Sequence, residues 1–153
     1  MRLCLISCRS ALSGALLALL TTTAALAADV TTAGTNPGVG GTVTTSSGLV
    51  FKLMKAGTGP SPAATDTVKV HYRGTLADGK EFDSSYSRGK PLEFPLNRVI
   101  KCWTEGVQRL QVGGSARLTC PPAIAYGERG AGGVIPPNAT LTFDVELLGI
   151  VGR

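Results

Sequence analysis

Ile100, Trp103, Val107 and Leu110 fall at i, i+3, i+7 and i+10 in "VIKCWTEGVQRLQVGG", one apolar stripe of an amphipathic helix. Gly113 and Gly114 end that stretch. Around it the apolar residues alternate instead. Leu49, Phe51 and Leu53 alternate with Val50, Lys52 and Met54. Val68, Val70 and Tyr72 share one side of "TVKVHYRG", with Thr67, Lys69, His71 and Arg73 on the other. "ADG" at 77–79 predicts a hairpin turn, returning through "KEFDSS". "LEFPL" keeps Leu92, Phe94 and Leu96 in step. "SARLTC" does the same with Ala116, Leu118 and Cys120, and the last strand with Leu141, Phe143, Val145 and Leu147. One helical stripe must bury itself against something, and here that is a sheet. The pattern predicts a small α+β domain of antiparallel strands with one short helix across one face.

The first residues read differently. "MRLCLISCRSALSGALLALLTTTAALA" opens with Arg2 and Arg9 and no acid. It continues with an apolar run from Ala11 to Leu20 and ends in small residues at 25–27. That is the order of a secretory signal peptide, cleaved after Ala27. The run is shorter than the roughly 20 residues a bilayer span needs, so no stable membrane anchor is expected. Residues 28–47, rich in Thr, Gly and Ser, are expected to be a flexible tether. The expected domain runs from 48 to 153. The tether shows no helical periodicity and supplies no dimerising arm, so a monomer is expected.

Export leaves Cys102 and Cys120, and an oxidising compartment favours a structural disulfide over two free thiols. They lack the C-x-x-C spacing of a redox-active pair. Two Cys and a single His71 at scattered spacing make no metal set, and no cofactor is expected. Without Arg2 and Arg9, Lys+Arg falls from 15 to 13 against 10 Asp+Glu, a net of +3. There is no basic run interleaved with aromatics, so nucleic acid is a poor partner. No G-x-S-x-G elbow or P-loop occurs, and "GERGAGG" leads to "VIPP" rather than to a helix that could cradle phosphate. His71 faces away from Val70 and Tyr72 by parity, as a surface strand histidine would. What remains is an apolar site. Its candidates are Tyr72, Phe82, Asp83, Phe94, Ile100, Trp103, Tyr126 and Phe143. Most of these would also serve as plain core. Asp83, beside Ser84 and Ser85, and Tyr126, opening the glycine-rich "YGERGAGGVIPPNA", fit a core less well.

"VKVHYRGTLADGKEFDSSYSRGKP", "VIKCWTEGVQRLQVGGSARLTCPP" and "AYGERGAGGVIPPNATLTFDVELL" resemble, in order, the FKBP family of peptidyl-prolyl cis–trans isomerases. The resemblance runs from about Gly48 to Leu148. It implies a twisted five- to six-stranded antiparallel sheet wrapped on one helix, with a pocket between them that takes X-Pro segments and the macrolides tacrolimus and rapamycin. By motif, Trp103 is the implied floor, and Tyr72, Phe82, Phe94, Val99 and Phe143 the walls. The Ile100 N–H and Tyr126 hydroxyl are the implied donors to ligand carbonyls. Asp83 is implied at the reacting carbonyl, supported by Arg88. Tyr126, Val134 and Ile135 are implied as a flap at the mouth, stiffened by Pro136 and Pro137. Departures fall at the rim. "LNRVI" is shorter than in small vertebrate members, which alters the region of Asn97 and Arg98. Leu92 and Ala131 replace an aromatic and a histidine of some members, and Cys102 stands where glycine is common. The signal peptide and tether look most like exported bacterial members, with the periplasm as the expected destination.

The expected function is therefore acceleration of X-Pro isomerisation during folding of exported proteins. The alternative, from another class, is a chaperone or adaptor holding apolar or proline-containing peptides in the same pocket without turnover.

Overall fold

The computed structural model describes residues 38–152. The expected leader, 1–27, and the first part of the tether, 28–37, lie outside the described residues. The order of elements is β1 (Thr42–Thr44), β2 (Val50–Lys55), β3 (Thr67–Leu76), β4 (Glu81–Ser84), β5 (Leu92–Pro95), α1 (Lys101–Val107), β6 (Ser115–Cys120) and β7 (Leu141–Ile150).

All seven strands join one antiparallel sheet, in the order β1-β2-β6-β7-β3-β4, with β5 also on β3. The expected α+β class holds. The seventh strand, β1, comes from the segment expected to be tether. Thr42, Val43 and Thr44 are β-branched and fit an extended edge. They pair with Lys52, Phe51 and Val50, so the tether does not reach 47.

Alternation along the strands sorts side chains as expected. Leu49, Phe51, Val68, Val70, Leu118, Leu141 and Leu147 are fully buried between sheet and helix. The helix is shorter than its apolar stripe. Ile100 has extended ψ and caps α1, while Arg109 and Leu110 donate to Gly106 and Val107 in i→i+3 fashion. Leu110 is still buried, so the stripe survives the change from α-helix to tighter turn. Cys102 and Cys120, both fully buried, form a disulfide that ties α1 to the end of β6.

β3 is longer than either neighbour on its outer edge. Thr67 to Val70 pair with β5, and Arg73 to Thr75 pair with β4. Tyr72 sits in the gap, where neither partner strand reaches. Ser85 fills it. Its Oγ accepts from the Tyr72 N–H at 2.8 Å, and its N–H donates to the Tyr72 carbonyl at 2.9 Å. A hydroxyl fully buried in this way satisfies backbone groups that would otherwise be orphaned. It also fixes the residue whose side chain enters the site.

Candidate functional site

A cavity of about 490 Å³ opens between the helix start and the outer half of the sheet. Its wall is Tyr72 from β3, Phe82 and Asp83 from β4, Phe94 from β5, Phe143 from β7, Trp103 from α1, and Arg98, Val99, Ile100 and Tyr126 from the connections. All eight candidates read from the residues alone therefore meet here.

The rings form a cage. Trp103 is almost fully buried, and the rings of Tyr72, Phe94 and Phe143 meet it edge-to-face at centroid distances of 5.2, 5.6 and 5.4 Å. Phe82 meets Phe143 in the same way at 5.6 Å. Such contacts place the positive edge of one ring on the negative face of another, which holds the rings rigid. Gly74 makes part of this possible. A Cβ there would lie 2.6 Å from the Phe82 ring and 3.0 Å from the Phe143 ring. Gly74→Ala is expected to push both rings into the cavity and to destabilise the fold by about 1–3 kcal/mol. Chemical denaturation together with peptide binding checks this, and wild-type values for both would contradict the packing described.

Three polar side chains close a ring at one wall. The Tyr72 hydroxyl donates to Asp83 Oδ2 at 2.5 Å and accepts from Arg88 Nη2 at 2.8 Å. Arg88 Nη1 donates to Asp83 Oδ1 at 2.6 Å. Both carboxylate oxygens are thus engaged. Partial burial disfavours the Asp83 anion, but the hydrogen bonds from Tyr72 and Arg88 and then the Arg88 charge outweigh it, holding Asp83 below the ordinary carboxylate range. Burial, reinforced by the hydrogen bond to Asp83, pushes the Tyr72 phenol up to about 12. The cluster therefore keeps one protonation state across the neutral range and offers no group poised to exchange a proton.

Two residues on the cavity wall carry donors without a protein partner among the described residues. The Ile100 carbonyl accepts the Trp103 and Thr104 N–H groups that start α1, while the Ile100 N–H has no backbone partner among the described residues. Tyr126 is 40% exposed, and its hydroxyl makes no hydrogen bond to another described residue. His71 is elsewhere, hydrogen-bonded to Ser85 and stacked on Tyr86.

The glycine-rich loop differs from its expected role. Val134 and Ile135 do not line the cavity. Ala131 and Ile135 exchange both backbone hydrogen bonds, and Val134 N–H returns to Ala131. This tight turn sends Ile135 into the core and leaves Val134 exposed. Gly130, at φ 61°, is required at its base, since a Cβ would lie 2.1 Å from the Ile135 carbonyl oxygen. Arg88, expected to support Asp83, does contact it, though from outside the cavity wall. Arg98, expected at an altered rim, lines the cavity at its exposed edge. A lone arginine in a turn carries no periodic signal that would have placed it there.

The family model described as FKBP-type peptidyl-prolyl cis-trans isomerase matches residues 59–148. The chain is 54% identical over 110 residues to the FKBP-type peptidyl-prolyl cis-trans isomerase FkpA of Escherichia coli K12, covering 72% of this chain and 40% of that protein. It is 53% identical over 111 residues to the FKBP-type 22 kDa peptidyl-prolyl cis-trans isomerase of the same strain, covering 72% of this chain and 54% of that one. Among solved structures, the crystal structure of FkpA from Escherichia coli superposes with a TM-score of 0.70 at 55% identity, covering 72% of this chain and 51% of that one. The crystal structure of AtFKBP13 does so with a TM-score of 0.66 at 41% identity, covering 71% and 98%. The chain thus spans about half or less of the length of these curated relatives.

Proposed function

The chain belongs to the FKBP-type peptidyl-prolyl cis-trans isomerases, and on that premise we propose that it accelerates X-Pro isomerisation in exported polypeptides by binding the prolyl ring in the aromatic cage. The observation that carries this reading is the cage itself: five rings around one cavity, with an N–H and an O–H donor on its wall, both without a protein partner among the described residues, and no group placed to move a proton.

The chemistry asks for little else. The planar X-Pro amide is conjugated, with negative charge drawn onto oxygen; twisting removes the conjugation and that charge separation. An apolar enclosure that strips water from the planar form disfavours it relative to the twisted one. Trp103 would carry the prolyl ring, with Tyr72, Phe82, Phe94, Val99 and Phe143 around it. The Ile100 N–H and Tyr126 hydroxyl would hold the flanking carbonyls, so that the twist takes place in a fixed frame. Asp83, an anion locked by Tyr72 and Arg88, would favour the state whose carbonyl oxygen bears less charge, which is the twisted one. A barrier lowered by about 5–7 kcal/mol corresponds to acceleration on the order of 10⁴–10⁵.

The Cys102–Cys120 disulfide supports action in an oxidising compartment, the periplasm, as does the leader read from the sequence. Tacrolimus and rapamycin would compete for the same cavity, and the protein would act as a monomer.

The test is peptide isomerisation and proline-limited refolding with the purified protein, with and without rapamycin. Acceleration abolished by rapamycin is expected. A folded protein that accelerates neither reaction rejects the proposal, and one that suppresses client aggregation with the pocket blocked favours a chaperone instead.

A further inference from the structure

Asp83 and Arg98 are the charged residues on the cavity wall. They are not equivalent. Asp83 is an anion engaged at both oxygens, by a hydrogen bond from Tyr72 and by an ion pair with the Arg88 cation. Arg98 has no ion pair or side-chain hydrogen bond among the described residues. The wall therefore carries one charge without an ion-pair partner among the described residues, and it is positive.

The backbone beneath Arg98 is pinned. It ends the 3-10 turn Leu96–Arg98, whose first residue is fully buried. The Leu96 carbonyl accepts from Thr104 Oγ1 at 2.6 Å, and its N–H donates to the Asp66 carbonyl at 3.0 Å. The turn is thus held to the helix on one side and to the start of β3 on the other. Arg98 stands two residues before Ile100, which lines the same cavity and whose N–H has no backbone partner among the described residues. A peptide whose carbonyl is held there would pass its flanking side chains along the turn, while the prolyl ring stays in the cage.

We propose that Arg98 is a specificity-determining residue that favours substrates with a carboxylate side chain beside the proline. This rests on the isomerase reading of the same pocket. Arginine suits the role because its planar fork pairs with a carboxylate in two-point fashion and stays charged at every working pH. It lies at the exposed rim, so the pair forms in water and the preference is modest: about 2- to 5-fold for a carboxylate over a neutral isostere at low salt, and about 5- to 20-fold for a carboxylate over an ammonium. Screening should erode it as the Debye length shortens.

The experiment uses the purified protein and peptides of the form Ala-Xaa-Pro-Phe, with Xaa as Glu, Gln or Lys. A second series places the same residues after the proline. Both kcat/KM and peptide Kd are measured at about 10 mM and about 300 mM salt. In at least one series the order Glu, Gln, Lys is expected in both quantities, with the contrast shrinking at high salt. Arg98→Glu is expected to invert the Glu-to-Lys ratio, a change that loss of folding would not produce. Equal handling of Glu and Lys peptides in both series, or a wild-type order kept by Arg98→Glu, overturns the proposal. A Gln peptide that binds without acceleration counts against the isomerase reading instead, and the Kd order alone then decides the role of Arg98.

Discussion

A protein with both Cys102 and Cys120 replaced by alanine is expected to lose about 3–5 kcal/mol of stability. The crosslink closes a loop across a sequence separation of 18, and a loop of that size removes about 3 kcal/mol of chain entropy from the unfolded state. Truncating two fully buried side chains adds a cavity cost. The loss should be large for a domain of this size, whose whole stability is on the order of 5–15 kcal/mol. The loop it closes starts beside Trp103 and ends six residues before Tyr126, so the helix start and one proposed donor share this anchor. Chemical denaturation of the oxidised protein and of the double variant decides the matter. A difference below about 1 kcal/mol would mean that the packing of α1 on β6 holds without the bond.

Asp83→Ala is expected to lower kcat/KM for an X-Pro peptide by about 10- to 100-fold, the range for losing hydrogen bonds to a charged group. The Tyr72 hydroxyl would lose its acceptor and Arg88 its counter-ion, so one wall of the cage would come loose and the fixed negative charge would vanish. Asp83 is partly exposed, and the fold itself should stay intact. Asp83→Asn separates the two effects, because its amide oxygen can still accept from Tyr72 but carries no charge. If Asn restores activity, geometry dominates; if it resembles Ala, the charge does. The wild-type pH profile gives an independent check. The folded-state pKa of Asp83 lies below its unfolded value of 3.8, so the ionised cluster, and the stability it adds, is fully present above that value and is lost as pH falls through the folded pKa. Activity should therefore stay level through the neutral range and into mild acid. A titration of activity near neutrality, or wild-type kinetics for Asp83→Ala, would remove Asp83 from the site.

Most of the sheet was legible because alternation is a local pattern with a global cause. A residue such as Val70 or Phe143 faces the core because its strand has one covered face, and that shows in every second position. The helix was legible in register but not in length. Burial sets where Leu110 points, whereas the cap at Ile100 and the tight turn after Val107 depend on hydrogen bonding that apolar spacing does not encode. β1 was missed because three residues with one apolar side chain make no periodic signal; its partner strand β2 supplies the reason to extend. The site divides along the same line. The aromatic candidates meet in one cavity because their strands and helix carry them there. Val134 and Ile135 are placed by a turn closed between Ala131 and Ile135, and nothing in "GAGGVIPP" says which of two adjacent apolar residues that turn sends inward. Ser85 and Arg98 share this invisibility, since the gap in β3 and the free charge on the wall exist only once distant segments are together.

The gap in β3 has a further meaning for how this fold can vary. The register of β5 is set by Thr67 to Val70 and that of β4 by Arg73 to Thr75, with a side chain rather than a strand closing the space between. The segment from Tyr86 to Lys90 is therefore held to the sheet by side chains rather than by strand pairing: Tyr86 stacks on His71 and donates to Glu146, Ser87 donates to Glu81, and Arg88 reaches Tyr72 and Asp83. Residues can be exchanged there without shifting either strand against β3, so long as the stack on His71 and the cation at Asp83 are kept. Such a segment is a natural place for lineages to diversify the pocket rim, and for an engineer to graft a longer recognition loop onto an unchanged cavity floor.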